Sequence, residues 1–306
     1  MGPKQSTPEW TPPPQPQPPS PKRTPPPQPR PPSPTFSEPW RKINWGDNVG
    51  DLQYVREYEP ERDDIRHLRI LLYGPVGAGK SNFINSVSNV IRGRMTHSAE
   101  ASAKGSEYSY TRKYTTHKIR KREQTFYPLI FNDIMGLEEG SGSGVRPDDI
   151  KLAMKGHVKD GYKFNAVSPL SSGDPGYNPE PSADEKVHVL VCTFSANSAE
   201  ITESVLQKMA TIREEASELG IPQIAIMTKI DEACGETEKE LKNVYKSKHL
   251  KKKMKDFSAA VGIPMNYIFP VKNYSEEIDI NDDVDTLILS ALRCMIDFGD
   301  DFINET

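Results

Sequence analysis

The chain has 306 residues, with 39 lysines and arginines against 43 aspartates and glutamates, so its formal net charge of −4 offers no overall positive field for nucleic acid. Hydrophobic residues make up only 35%, but 17 of the 28 prolines lie in residues 1–40 and dilute the average; the rest is long enough to bury a core without staples. Cys192, Cys234 and Cys294 show neither a paired spacing nor histidine partners, which excludes a disulfide scaffold and a zinc finger, and no apolar run approaches the roughly 18 residues of a membrane span. A cytoplasmic protein with no transmembrane segment and no secretory leader is expected.

Residues 11–23 (TPPPQPQPPSPKR) and 24–36 (TPPPQPRPPSPTF) are near-copies. Segments so poor in aliphatic residues cannot offset the entropy of ordering, so residues 1–39 are expected to form a disordered, proline-rich tail. The simple reading is a tether. The basic residues flanking PxxP at Arg23 and at Lys22-Arg23 also suit the aromatic grooves of SH3-type proteins.

From Arg66 onward short apolar runs alternate with helical periodicity, which predicts an α/β body over residues 40–306, a mainly parallel sheet with helices on both faces. The predicted strands are 68–73, 113–121, 126–131, 187–194, 224–227 and 267–271. Ile201, Val205, Met209, Ile212, Ala216 and Leu219 recur at helical steps, as do Val284, Leu287, Ile288, Ala291, Met295 and Phe298. Both segments read as packing helices.

The first strand runs into Gly74-Pro75-Val76-Gly77-Ala78-Gly79-Lys80-Ser81, and a helical pattern with Phe83, Ile84, Val87 and Ile91 follows. This is GxxxxGK[ST] in the strand-to-helix setting that the motif requires, the P-loop of nucleotide-binding proteins. Glycines let successive amides point inward at phosphate oxygens, and the helix N-terminus adds its partial positive charge. The expected cradle is Gly74, Val76, Gly77, Ala78, Gly79, Lys80, Ser81 and Asn82. Lys80 would reach the β- and γ-phosphates, and the Ser81 hydroxyl would ligate Mg²⁺.

Farther on, 126–131 leads into Asn132-Asp133-Ile134-Met135-Gly136, a DxxG at a strand's carboxyl end, where ligands sit in open α/β sheets. Asp133 would hold the same Mg²⁺ through water, and the Gly136 amide would face the γ-phosphate. After 224–227 comes Thr228-Lys229-Ile230-Asp231. A carboxylate only accepts, so Asp231 suits guanine, with its adjacent N1–H and N2–H₂ donors, and disfavours adenine. The Lys229 stem would lie along the base plane, and Lys272 or Asn273, after the last strand, would also meet the base.

GPVGAGKSNFINSV, FNDIMGLEEG and AIMTKIDEAC together resemble a TRAFAC-type, Ras-like P-loop GTPase, and among these the interferon-induced protein 44 family, particularly its fish-type members. EPWRKINWG, DDIKLAMKGHVKDGYKF and FPVKNYSEEIDINDDVDTLILSAL extend the resemblance to about residues 38–306. The resemblance implies GTP or GDP binding, a cytoplasmic location and a part in the antiviral innate response. Several mammalian members carry a further N-terminal domain of TLDc type, where this chain has its proline segment.

The position after DxxG, which holds a water-orienting glutamine in Ras-like proteins, is Leu137. A hydrocarbon cannot orient water, so no catalytic residue is assigned and a slow switch is expected, helped by a partner or by a second copy across a G-domain dimer. Thr96, Thr111, Thr115 and Thr116 all qualify as the switch I threonine. Two other readings stay open: an assembly-coupled GTPase or ATPase, and a passive GDP-binding scaffold recruiting SH3 proteins through its tail. The long stretch 137–186 is expected to present a flexible turn at 140–144 and a helix at 148–159, and to form the nucleotide-sensitive partner surface. The lysine run 246–255 reads as a solvated helix face.

Overall fold

A computed structural model describes residues 2, 33–96, 112–140, 142–197 and 201–306. Residues 1 and 3–32 of the proline tail, Thr111 and Ser141 lie outside the described residues, while residues 34–39, expected to be disordered, pack on the body, the Phe36 amide donating to the Lys246 carbonyl at 2.8 Å. The chain divides into two units, Met1–Ser33 and Pro34–Thr306; all that follows concerns the second.

Six strands form one sheet: β1 Leu68–Tyr73, β2 Thr115–Arg122, β3 Thr125–Asp133, β4 Val189–Ser195, β5 Gln223–Thr228 and β6 Ile268–Pro270, in the order β2-β3-β1-β4-β5-β6. β2 runs antiparallel to β3 and every other pairing is parallel. The reason lies in the side chains. All six residues of β1 are buried, as expected of a strand covered on both faces, whereas β2 (TTHKIRKR) buries only Ile119 and forms the edge. Because the parallel strands share one direction, the loops after β1, β3, β5 and β6 open at the same rim of the sheet.

The helices are α1 Asn48–Glu57, α2 Lys80–Arg92, α3 Pro147–Met154, α4 Glu203–Glu218, the short α5 Ile230–Ala233 and α6 Gly235–Lys239, α7 Lys248–Val261 and α8 Asp282–Glu305. In α8 the Asn281 Oδ1 caps the amides of Asp283 and Val284, each at 3.0 Å, and the predicted stripe is buried save Phe298, which packs edge-on against Tyr267. Val205, Met209, Ile212 and Ala216 make the buried stripe of α4.

α1 was not legible in the sequence, because Val55 is its one buried residue. Polar latches hold it instead: Tyr54 Oη donates to Asp297 at 2.7 Å, Arg293 pairs with Asp51 at 2.6 Å, and Arg56 Nε donates to the Ile91 carbonyl at 2.8 Å. The helix expected over 148–159 closes at Met154, since Gly156 takes φ +82° and an added Cβ would meet the Glu185 carbonyl at 2.9 Å. Stretch 137–186 is packed rather than open: His157 stacks on Tyr177 at 4.9 Å, and Asp149 Oδ1 accepts the Leu170 amide at 2.7 Å. The lysine run belongs to α7, whose Leu250, Met254, Phe257 and Val261 are buried. Lys251 sits over the rings of Phe36 and Trp40 at 4.9 and 5.4 Å, and Lys252 pairs with Asp256 at 2.6 Å.

Candidate functional site

The loop 74–79 turns out of β1 through three glycines at positive φ: Gly74 (+146°), Gly77 (+75°) and Gly79 (+87°). Gly74 is required by space as well as by conformation, since a Cβ there would lie 1.9 Å from the Thr193 carbonyl. Gly79 is the left-handed N-cap of α2, and the first amides of that helix have no intrahelical acceptor. Nor do the amides of Gly77 and Gly79 have a protein acceptor among the described residues. The result is a ring of donors with positive helix charge behind it.

Lys80 is 7% exposed, with Nζ on the carbonyls of Gly74 and Pro75 at 3.3 and 3.2 Å. Burial lowers its pKa, and the Asp133 carboxylate offsets part of that fall. A buried cation resting on two carbonyls is poorly compensated, which favours an anion at the loop. Ser81 Oγ donates to Asp133 Oδ2, so the structure brings together the two hard-oxygen groups expected to face Mg²⁺. Among the described residues no cluster of three or more histidines, cysteines or acids is poised for another metal.

The DxxG segment is knitted onto the P-loop. Leu137 N donates to the Gly74 carbonyl at 3.0 Å and Val76 N to the Leu137 carbonyl at 3.2 Å. Gly136 is pressed so closely that a Cβ would lie 2.8 Å from Val76 Cα. Leu137 itself is 1% exposed and points into the core. Beyond it, Lys208 of α4 reaches across the chain, its Nζ donating to the carbonyls of Glu138 at 2.7 Å and Gly140 at 2.6 Å. This clamp holds the turn expected to be flexible, and nothing in local sequence announces it.

At the far side of the loop, Thr228 is fully buried, with its hydroxyl donating to the carbonyls of Ala78 at 2.7 Å and Phe194 at 3.3 Å. Its side chain shapes the P-loop from behind. Asn273 acts alike, Nδ2 donating to the Gly79 carbonyl at 3.2 Å. Lys229 is the one non-glycine residue at positive φ (+56°) among the described residues, a conformation that sets the exit of β5 toward α5. Asp231 and Lys272 come together at 3.6 Å, with Glu277 on the other side of the same ammonium at 2.9 Å. Burial lowers the Lys272 pKa, but Glu277 and Asp231 outweigh it and the net direction is up. Asn82 is exposed beside the cradle.

Of the candidate switch I threonines, Thr96 Oγ1 donates to Asn89 Oδ1 at 2.7 Å. Thr115 and Thr116 are paired across the sheet with Asp133 and Asn132.

No protein-family model matches the chain. It is 33% identical over 256 residues to interferon-induced protein 44 of Mus musculus, covering 83% of this chain and 60% of that protein. It is 34% identical to the Pan troglodytes protein of the same name, covering 83% and 57%, and 31% identical to human interferon-induced protein 44-like, covering 82% and 56%. The chain thus spans less than two thirds of the length of these relatives. Among solved structures it is similar to Toc33 from Arabidopsis thaliana in complex with GDP and Mg²⁺ (TM-score 0.42, 14% identity, 77% of this chain and 85% of that one). It is also similar to a probable GTP-binding protein, engB (TM-score 0.40, 13% identity, 78% and 100%). At such scores the architecture rests on the strand order itself. Over most of its length, the chain is related at moderate identity to interferon-induced protein 44.

Proposed function

We propose that residues 40–306 form a guanine-nucleotide-binding domain of the interferon-induced protein 44 family, acting as a slow GTP/GDP switch in the cytoplasmic antiviral response. One observation carries the reading: a buried lysine and the amides of Gly77 and Gly79, which have no protein acceptor among the described residues, line the turn at the carboxyl end of β1. In this reading the amides of Gly77, Gly79 and the first turn of α2 hold the α- and β-phosphates while Lys80 leaves its two carbonyls for the β- and γ-phosphates. Ser81 and Asp133 fit Mg²⁺ by their donor chemistry, and the ion would neutralise charge between the β- and γ-phosphates. The Gly136 amide would read the γ-phosphate, so its loss would be felt directly by the Leu137 pairing with the P-loop.

Asp231 selects guanine by accepting from the base's adjacent N1–H and N2–H₂ donors, with Lys229 and Lys272 flanking the ring. Thr228 and Asn273 serve as positioning residues that fix the loop from beneath. The names of the relatives supply the link to the interferon response; the proline tail, as a tether or an SH3 ligand, and self-association through this domain belong to the same proposal. No helix among the described residues is long and apolar enough to cross a membrane.

Titration of the full chain with GDP, GTP, ADP, ATP and XDP, with magnesium, tests the reading. Guanine nucleotides should bind in preference to adenine, and Asp231→Asn should shift the preference toward xanthine, whose 2-oxo group accepts where guanine donates. Absence of binding to every purine di- and triphosphate would end it.

A further inference from the structure

Near the opposite end of β1 from the P-loop lies a second buried cation. Arg69 is 9% exposed, and the oxygens it meets are all neutral: Nε donates to the Asp184 carbonyl at 3.0 Å, Nη1 to Asn132 Oδ1 at 3.2 Å, and the Tyr114 hydroxyl is a third partner. Arg69 takes part in no ion pair among the described residues. With the Ser182 amide, its charge helps to lower the Glu185 carboxyl, but with no carboxylate in direct contact among the described residues the buried guanidinium is only partly compensated.

It opens into a cavity of about 640 Å³, with Thr116, Lys118 and Ile130 of the sheet on one side and Val158, Lys159 and Asn178 on the other. That volume suits a small molecule. Three carboxylates border it, and each is already committed. Asp184 accepts the amides of Arg66 and His67 at 2.8 and 2.9 Å and meets the His67 imidazole at 3.0 Å. Asp160 accepts the Thr116 amide at 2.7 Å, and Glu185 accepts the amide and hydroxyl of Ser182, both at 2.9 Å. The cations are not committed in this way. Lys159 Nζ reaches only the Pro175 carbonyl, at 3.4 Å, and Lys118 has no partner among the described residues.

We propose that this cavity is a second anion site, which takes the phosphate group of a small phosphorylated molecule. Arg69 is its buried anchor, offering the planar fork that fits phosphate oxygens, and Lys118 and Lys159 close on the ligand from the rim. Asn132 accepts from Arg69 and donates to Thr116 Oγ1 at 3.0 Å, which ties the anchor to the neighbouring strands. The site stands independently of the proposed guanine-nucleotide site.

To test it, the full chain with excess GDP and magnesium is titrated with inorganic phosphate and with phenyl phosphate while backbone amide resonances are followed. Saturable shifts are expected at Arg69, Thr116, Lys118 and Lys159, with none along 74–81. Lys118→Glu, a change at the exposed rim, should weaken binding on the order of tenfold, and Arg69→Met should abolish it in a chain that circular dichroism shows to be folded. Shifts confined to 74–81, affinity unchanged by Lys118→Glu, benzoate bound as tightly as phenyl phosphate, or no saturable shift would overturn the proposal. Failure of GDP to bind would count against the nucleotide reading alone, because residues 69 and 118 report on this cavity either way.

Discussion

Leu137 gives its backbone to the P-loop and its side chain to the core: its amide donates to the Gly74 carbonyl at 3.0 Å, and the residue is 1% exposed. The position that holds a water-orienting glutamine in Ras-like proteins therefore faces away from any bound phosphate. Leu137→Gln should not accelerate GTP hydrolysis in single-turnover assays, and it should destabilise the fold by about 1–3 kcal/mol by burying an unpaired amide. A gain of tenfold or more in rate would show that the side chain can reach the site.

The Lys208 clamp fastens the chain at Glu138 and Gly140 to α4. Lys208→Met keeps the aliphatic stem but removes the ammonium that holds the Glu138 and Gly140 carbonyls. The turn should then open, with faster amide exchange confined to its neighbourhood and a loss of about 1–3 kcal/mol in chemical denaturation. Unchanged exchange there would mean that the turn is held by other contacts.

Two glycines of the P-loop should respond differently to alanine. At Gly77 nothing lies within 4 Å of an added Cβ, so the cost is that of the positive φ alone, roughly 1–2 kcal/mol. At Gly74 the Cβ would also overlap the Thr193 carbonyl at 1.9 Å, and β1 and β4 would have to part. Thermal unfolding should rank Gly74→Ala well below Gly77→Ala, and equal melting temperatures would contradict the close approach.

Glu277 makes stability depend on acid. Burial works to raise its carboxyl, but the Ser275 amide and the Lys272 ammonium outweigh it and hold the group down at about 2, against an ordinary 4.5. A depressed carboxylate adds stability above its unfolded pKa and loses it as pH falls through the folded one, so the window runs from about 4.5 down to about 2. Wild type should exceed Glu277→Gln in denaturation midpoint near neutral pH, and the gap should close as pH approaches 2. A gap independent of pH would refute this account.

Much of the molecule was legible from residue order. The P-loop, DxxG and TKID stretches each carry residue types that their chemistry demands, and the fully apolar run of β1 and the stripes of α4 and α8 show their burial periodicities directly. These are local signals, readable within a window of a few residues. What tertiary structure alone decided are relationships between distant segments whose partners are polar or backbone atoms: α1 latched by Tyr54 and Asp51 onto α8, Lys208 reaching the carbonyls of 138 and 140, Thr228 and Asn273 turned beneath the P-loop, and Arg69 left among neutral oxygens. A hydrogen bond to a main-chain carbonyl makes no demand on the identity of the residue that offers it. Such contacts leave no periodicity or motif behind, and only the parallel sheet, by gathering its strand ends on one rim, settled which of them would meet.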